Sequence, residues 1–394
     1  MKQEQIVQAA ALSVLDRIKL EYAALVQRRT LSLEALFSSR ALHFGEFCKH
    51  FNPHAESERL KAKAAAFSEQ YGTWLERSKH FINCAWYLYP HADFDRVLTI
   101  TKNLSVGFYL NDVMGRDVFN ALSPEEQAAS RKMIENMALV DETLTVQRDA
   151  HPLEHANAAV LKEFRDKSPR EWFRRFLQLY SHHLNITHRD RNVQALGYVP
   201  DVQEYIENRC HYAAVHHLVM WVEYSTGVFL DWEELLRTNV FQRLQRLHWV
   251  VGAFPALAND FFSFEWEVID NGCDSNLIMV IALNHPEMSL EEAIERSADL
   301  VRDIVVEIAS IIGAIEMELA GMRPVYPELV SVLETHLNGL RDFVQAAWVW
   351  QASSKRYKRM ESLWRETRIA PAVEVAGAVG AAIAETAGAL VQGV

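Results

Sequence analysis

Residues 259–267 read Asn-Asp-Phe-Phe-Ser-Phe-Glu-Trp-Glu. Asn259, Ser263 and Glu267 stand at i, i+4 and i+8, a spacing that drifts only slowly around a helix and lines one stripe. The stripe carries an amide oxygen, a hydroxyl and a carboxylate. Three hard oxygen donors one turn apart can form one side of a Mg²⁺ site. Phe254, Phe261, Phe262, Phe264 and Trp266 surround them. Polar groups in such a setting cost free energy unless something coordinates them. Taken alone, the same three residues fit a solvated helix face equally well.

A second acidic stretch is Phe108-Tyr109-Leu110-Asn111-Asp112-Val113-Met114-Gly115-Arg116-Asp117. Asp112 and Asp117 are five residues apart, so one helical face does not present both to one metal. Asp112 follows an aromatic-apolar run and reads as the site carboxylate. Asp117 reads as an ion-paired or solvated carboxylate next to Arg116. The pairs His182-His183 and His216-His217 look like metal ligands, but adjacent helical residues point about 100° apart. They carry no acidic partner at metalloprotease spacing, and they read as surface or polar-packing residues.

The elements that must position these groups are helical. Apolar residues recur at three- and four-residue steps over 4–28, 57–89, 93–122, 124–147, 168–190, 201–226, 231–269, 289–320 and 326–365. Alternating strand patterns are absent. Glycine and proline number only 15 and 11, so helix breakers are few. Ser123 before Pro124-Glu125-Glu126 predicts a helix start, as does Ser289 before Leu290-Glu291-Glu292. The reading is a single all-α domain.

Composition narrows the function classes. The 394 residues are 49% apolar and 23% charged, as in an ordinary globular protein. A net charge of −12 argues against a nucleic-acid surface and means that an anionic substrate needs a cation or placed arginines. Four scattered cysteines form no CxxC pair, which predicts neither zinc nor disulfides and a reducing cytoplasm. The polar start Met1-Lys2-Gln3-Glu4-Gln5 is unlike a signal peptide, and no apolar run predicts stable membrane insertion.

Three signals taken together resemble a known family. Asp112 in Phe-Tyr-Leu-Asn-Asp, then Asn259 to Glu267, then Lys355-Arg356-Tyr357 look like the class I terpene synthases of bacterial type. That family carries an aspartate-rich motif, an NDxxSxxxE motif and an Arg-Tyr pair in this order. Asn52-Pro53 and the Pro200 to Arg209 stretch resemble two further family features. The likeness covers roughly residues 50–360. One departure stands out: Val113 occupies the place of a second aspartate, leaving Asp117 as the closing acid. An alternative register makes Asn111 the leading residue and Asp112 the second.

The resemblance implies a class I terpenoid synthase-like helical bundle around a central apolar cavity. It would span 46–365, with a helical N-terminal extension at 1–45 and an Ala/Gly/Val-rich tail at 366–394. It implies a terpene cyclase acting on a linear isoprenyl diphosphate, farnesyl diphosphate before geranylgeranyl diphosphate, with three Mg²⁺ ions. Asp112 would hold two ions, and Asn259, Ser263 and Glu267 the third. Arg209, Arg356 and Tyr357 would donate to the diphosphate, with Lys355 a bystander. Tyr212 and Ala213 would link diphosphate sensing to ionisation. An allyl cation needs an apolar, aromatic pocket. Phe81, Trp86, Phe108, Tyr109, Phe254, Phe262, Trp348 and Trp350 are candidates for its wall. Homodimers are common in the family. Two rival readings are an isoprenyl diphosphate synthase or other prenyltransferase, and a helical binding protein with a decayed aspartate-rich site.

Overall fold

The computed structural model describes residues 2–49, 52–114, 118, 121–187 and 189–369. Asp117, Arg116 and the tail from residue 370 onward lie outside the described residues. Twelve helices of eight residues or more are described: α1 (Lys2–Arg28), α2 (Ser57–Gln70), α3 (Phe94–Met114), α4 (Pro124–Ala138), α5 (Pro152–Asp166), α6 (Arg170–Thr187), α7 (Val202–Tyr212), α8 (Val215–Thr226), α9 (Val240–Phe264), α10 (Leu277–Asn284), α11 (Leu290–Met322) and α12 (Pro327–Ser353). The described residues contain no strand, only two isolated bridges.

The fold is built around α9. Its second half, from Val250 onward, is apolar on most sides, and a helix of that kind must be buried on most sides. Helices α7, α8, α10, α11 and α12 all pack against it. Two glycines let α8 come close to its neighbours. A Cβ on Gly252 of α9 would meet Val215 at 3.2 Å, and one on Gly339 of α12 would meet Val222 at 2.5 Å. The outer helices carry capping boxes: Ser123 with Glu126 on α4, and Ser289 with Glu292 on α11.

Three departures from the expected helices bear on the site. The continuous pattern at 201–226 is broken between α7 and α8, where Ala214 takes a left-handed conformation (φ 68°). The pattern at 231–269 starts as a short helix, Trp232–Leu235, and ends in a π-helical turn, Glu265–Asp270. The segment 57–89 is helical only at 57–70 and 84–88, joined by a 3₁₀ turn at Glu76–His80. A further helix, α5, begins at Pro152.

The two ends of the described chain meet. Leu31 N–H donates to the Leu363 carbonyl at 2.8 Å, and Arg365 N–H donates to the Leu31 carbonyl at 2.8 Å. Glu366 accepts from Leu33 N, Glu34 N and Ser32 Oγ at the start of the short helix Leu33–Phe37. The Glu265 carboxylate accepts from Tyr22 OH at 2.5 Å, Ser362 Oγ at 2.6 Å and Leu363 N at 2.7 Å. Residues 15–44 also supply buried apolar side chains, among them Ile18, Leu25, Leu33 and Phe37, to the main core.

Candidate active site

A cavity of about 310 Å³ opens between α3, α6, α7, α8, α9 and α12. Its body is apolar, with Leu88, Leu104, Leu110, Leu184 and Phe343 in the wall. At one end stand Arg209, Asn259, Glu267, Arg356 and Tyr357. Helices from three separate stretches of the chain thus bring these five residues to one place.

One rim is built on α9. Asp260 is fully buried and accepts from Arg209 Nε at 2.7 Å, Tyr205 OH at 2.6 Å and Leu277 N at 3.0 Å. These contacts satisfy a carboxylate that could not stand in the core alone. Burial works against the Arg209 charge, but the adjacent Asp260 more than offsets it and holds the guanidinium pKa well above its ordinary value. Arg209 Nη2 also donates to Asn259 Oδ1 at 2.9 Å. Asn259 Nδ2 in turn donates to Tyr357 OH at 2.8 Å and Gln351 Oε1 at 3.2 Å. Asn276 Nδ2 reaches the Asp260 carbonyl at 2.8 Å and Glu267 Oε2 at 3.3 Å.

The π-helical turn affects the stripe directly. In an α-helix each four-residue step drifts by about 40°. An i→i+5 turn winds less per residue and takes back part of that drift over Glu267. Asn259 and Glu267 both line the cavity; Ser263 sits behind them, 5% exposed, its hydroxyl donating to the Asn259 carbonyl at 2.8 Å.

The other rim is the end of α3. Asp112 pairs with Arg77 Nε at 2.8 Å, and Arg77 Nη2 also donates to the Asp112 carbonyl at 3.0 Å. Arg356 Nη1 lies 3.8 Å from Asp112 Oδ1, and its guanidinium sits 4.8 Å from the Phe81 ring centroid. Arg356 therefore reaches from the α12 end toward the α3 rim. Asn111 Nδ2 donates to Asp112 Oδ1 at 3.0 Å.

The candidates for the cavity wall divide into those that line it and those that do not. Phe108, Tyr212, Ala213 and Trp350 lie in the cavity wall. Phe81 packs at a tilt on Phe108, ring centroids 5.3 Å apart, outside that wall, and Tyr109 packs on the core. Phe254, Phe262, Trp348 and Trp86 are core residues instead of wall residues. Trp348 packs edge-on against Phe44, Phe37 and Phe262, and Phe254 packs at a tilt against Phe44. They sit one helical step away from residues that do line the wall, such as Pro255 and Ala347.

Of the two readings of the histidine pairs, polar packing describes His183 and His217, which are wall residues of the cavity with His217 buried, whereas His182 is exposed. His216 is partly buried, and its pKa is pushed down to about 4 by burial and by His211 and His182. No group of three or more His, Cys, Asp or Glu side chains among the described residues is arranged to hold a metal. Arg77, Asn276 and Gln351 escaped the sequence reading, and Asp260, although part of the NDxxSxxxE motif, was given no role of its own. Asp260 carried a signal, since an aspartate inside an aromatic helix needs a buried cation and Arg209 was the candidate at hand.

Asp112, Asn259, Ser263 and Glu267 offer oxygen donors only, without thiolate or imidazole, which is the set that a hard cation such as Mg²⁺ takes. Ser263 uses its proton on the Asn259 carbonyl, so its oxygen lone pairs can serve as ligands. The residues present fit such an ion.

With the helical bundle, its apolar cavity and this donor set described, the class is clear. The family model of terpene synthase family 2, C-terminal metal binding, matches residues 102–307, and the chain belongs to that family. Among curated proteins, it is 24% identical over 209 residues to a germacrene A synthase of Nostoc punctiforme, covering 53% of this chain and 61% of that protein. It is 24% identical over 267 residues to a (+)-eremophilene synthase of Gibberella fujikuroi, covering 63% of this chain and 69% of that one. The match thus spans about three-fifths to two-thirds of these relatives' length. Among solved structures, an α-eudesmol synthase superposes with a TM-score of 0.63 at 18% identity, covering 78% of this chain and 97% of the other, which is a likeness of fold.

Proposed function

We propose that this chain is a Mg²⁺-dependent terpene cyclase that ionises farnesyl diphosphate and cyclises the allyl cation. The observation that carries the reading is the Asp260–Arg209–Asn259–Tyr357 chain of hydrogen bonds at one end of an apolar cavity, facing Asp112 and Arg356. Family membership supports a metal site, and Asp112, Asn259, Ser263 and Glu267 are the residues proposed to hold it, three ions in all. When bound, the ions supply positive charge that neutralises the leaving diphosphate. Arg209, already aimed by Asp260, donates to the diphosphate oxygens, and its planar fork suits phosphate. Arg356 is placed to leave Asp112 for the same anion. Tyr357 adds a hydroxyl donor. The apolar wall keeps bulk water from the cation, and the faces of Phe108, Tyr212 and Trp350 stabilise cationic carbon through their quadrupoles. A cavity of about 310 Å³ is at the small end for ligand sites and supports the fifteen-carbon substrate over the twenty-carbon one. The proposed setting is the cytoplasm; no helix among the described residues is long and apolar enough to cross a membrane.

The test is incubation of purified protein with Mg²⁺ and, separately, geranyl, farnesyl and geranylgeranyl diphosphates. Extracts are read by gas chromatography–mass spectrometry and diphosphate by a colorimetric assay. The expected result is a cyclic fifteen-carbon product. Asn259→Ala should lower its formation by about 10²-fold or more, the scale for losing one polar group that acts on developing charge. A product with more carbons than its substrate would point to chain elongation. Absence of diphosphate release from every substrate would sink the cyclase reading.

A further inference from the structure

The cavity also holds polar groups that ionisation does not use. Asn103 on α3, Tyr180 and His183 on α6 and His217 on α8 all line it. His217 is 3% exposed, with ring centroids of Tyr180 at 5.3 Å, His183 at 5.1 Å and Trp221 at 5.4 Å. Among the described residues no hydrogen bond reaches either of its ring nitrogens. Asn103 is also 3% exposed, and its Nδ2 has no partner. Asn103 lies beside the Tyr180 hydroxyl, which donates to Asn157 Oδ1 at 2.6 Å. The Trp221 indole N–H in the same wall is likewise without a partner.

Buried polar groups are nearly always satisfied, and when protein does not satisfy them, water does. An unpartnered amide N–H₂ and an unpartnered imidazole in one otherwise apolar cavity provide the donor and acceptor that hold a water. We propose that Asn103 and His217 hold a water molecule in the cavity that captures the final carbocation, so that the product is a terpene alcohol. This rests on the cyclase reading above. In the step, a water lone pair forms the C–O bond to the cationic carbon. One O–H bond of the resulting oxonium then breaks and its proton goes to a ring nitrogen of His217. The imidazolium gives that proton to solvent when product leaves. Burial, with His183 and His216 close by, holds the His217 pKa well below its ordinary value, so the imidazole is neutral and its lone pair available. An oxonium is far more acidic than an imidazolium, so this weak base suffices.

The test is turnover of farnesyl diphosphate in ¹⁸O-labelled water by the full chain with Mg²⁺. Products are read by mass spectrometry and diphosphate release is followed in parallel. The expected result is an alcohol two mass units heavier than in ordinary water. His217→Phe and Asn103→Leu should each lower the alcohol-to-hydrocarbon ratio among the products by tenfold or more, whatever the total rate. Diphosphate release with only unlabelled hydrocarbon from the unsubstituted protein would overturn the inference and leave the cyclase reading standing. Labelled alcohol at an unchanged ratio in both variants would overturn the assignment to these residues. No diphosphate release at all would overturn the cyclase reading, and this inference with it.

Discussion

Two carboxylate–arginine pairs of almost equal length flank the cavity mouth and do different work. Asp260–Arg209, at 2.7 Å, has side chains 1% and 8% exposed. Asp112–Arg77, at 2.8 Å, has side chains 9% and 57% exposed. The first pair is enclosed by Tyr205, Leu277 N and the packed face of α10. It is part of the core, and its attraction acts in a medium that screens little. The second reaches solvent through its arginine, where such a pair contributes about 0–1 kcal/mol. Distance alone therefore does not say what an ion pair is for. The α9 rim is preformed by packing and holds Arg209 fixed. The α3 rim is held by contacts weak enough to be exchanged for a ligand.

The contrast can be broken most sharply at Asp260. Asp260→Ala leaves the Arg209 charge, the Tyr205 hydroxyl and the Leu277 N–H buried without their acceptor. Thermal and urea melts should show a loss of about 3–5 kcal/mol. A loss below 1 kcal/mol would put the two rims in the same class.

A third carboxylate sharpens the comparison, because it is buried without a close arginine. Glu223 on α8 is 1% exposed and accepts from Leu230 N at 2.9 Å. Burial pushes its pKa up to about 7, with Leu230 N–H and Arg175 offsetting only part of that. A carboxyl group whose folded pKa exceeds its unfolded value binds more protons when folded. Its contribution to stability is therefore greatest in acid and is lost as pH rises from about 4.5 to 7. Glu223→Gln should flatten that stretch of the stability–pH curve and raise stability at pH 8 by about 2–3 kcal/mol, checked by melts across the range. An unchanged slope would mean that the Glu223 carboxylate is as well satisfied as that of Asp260.

The smallest effect is expected at Arg77. Arg77→Ala should change the melting free energy by less than about 1 kcal/mol. By releasing Asp112 it should tighten Mg²⁺ binding about fivefold or less, read by calorimetry with inorganic diphosphate present. Weaker Mg²⁺ binding in the variant would show that Arg77 supports the rim instead of competing for it.

Much of this was legible in the sequence, and the gaps have physical causes. The all-α fold follows from helical periodicity with few breakers, and the family's motifs stood in order. The stripe at 259, 263 and 267 was visible because it repeats. Asp260 was not on the stripe: it lies about 100° around the helix from Asn259 and faces a different neighbour. Arg77 lies within 57–89, read as one helix, but stands in the 3₁₀ turn Glu76–His80, so its facing and its partner did not follow from that pattern. Phe254, Phe262 and Trp348 were proposed for the wall on residue type, whereas helical facing decides which aromatics reach it. Helix α5 was hidden because the helical pattern was read only up to 147 and again from 168, although Pro152 is the first residue of a helix. Pairing of adjacent histidines obscured His217, whose better signal is its i+4 spacing from Trp221 on an apolar helix.

The π-helical turn at Glu265–Asp270 has a consequence for counting residues across relatives. Such a turn is an α-helix carrying one residue more than its period allows. Deleting a single residue there would restore the ordinary winding and leave the chain beyond it facing much as before, so that only residues inside the turn change their facing relative to α9. Glu265 would leave the contacts it makes with Tyr22 and Ser362, or Glu267 would leave the cavity, since the two carboxylates are two positions apart and serve opposite sides. A homologous chain one residue shorter at this point is therefore expected to hold either its mouth or its terminal clasp by different residues.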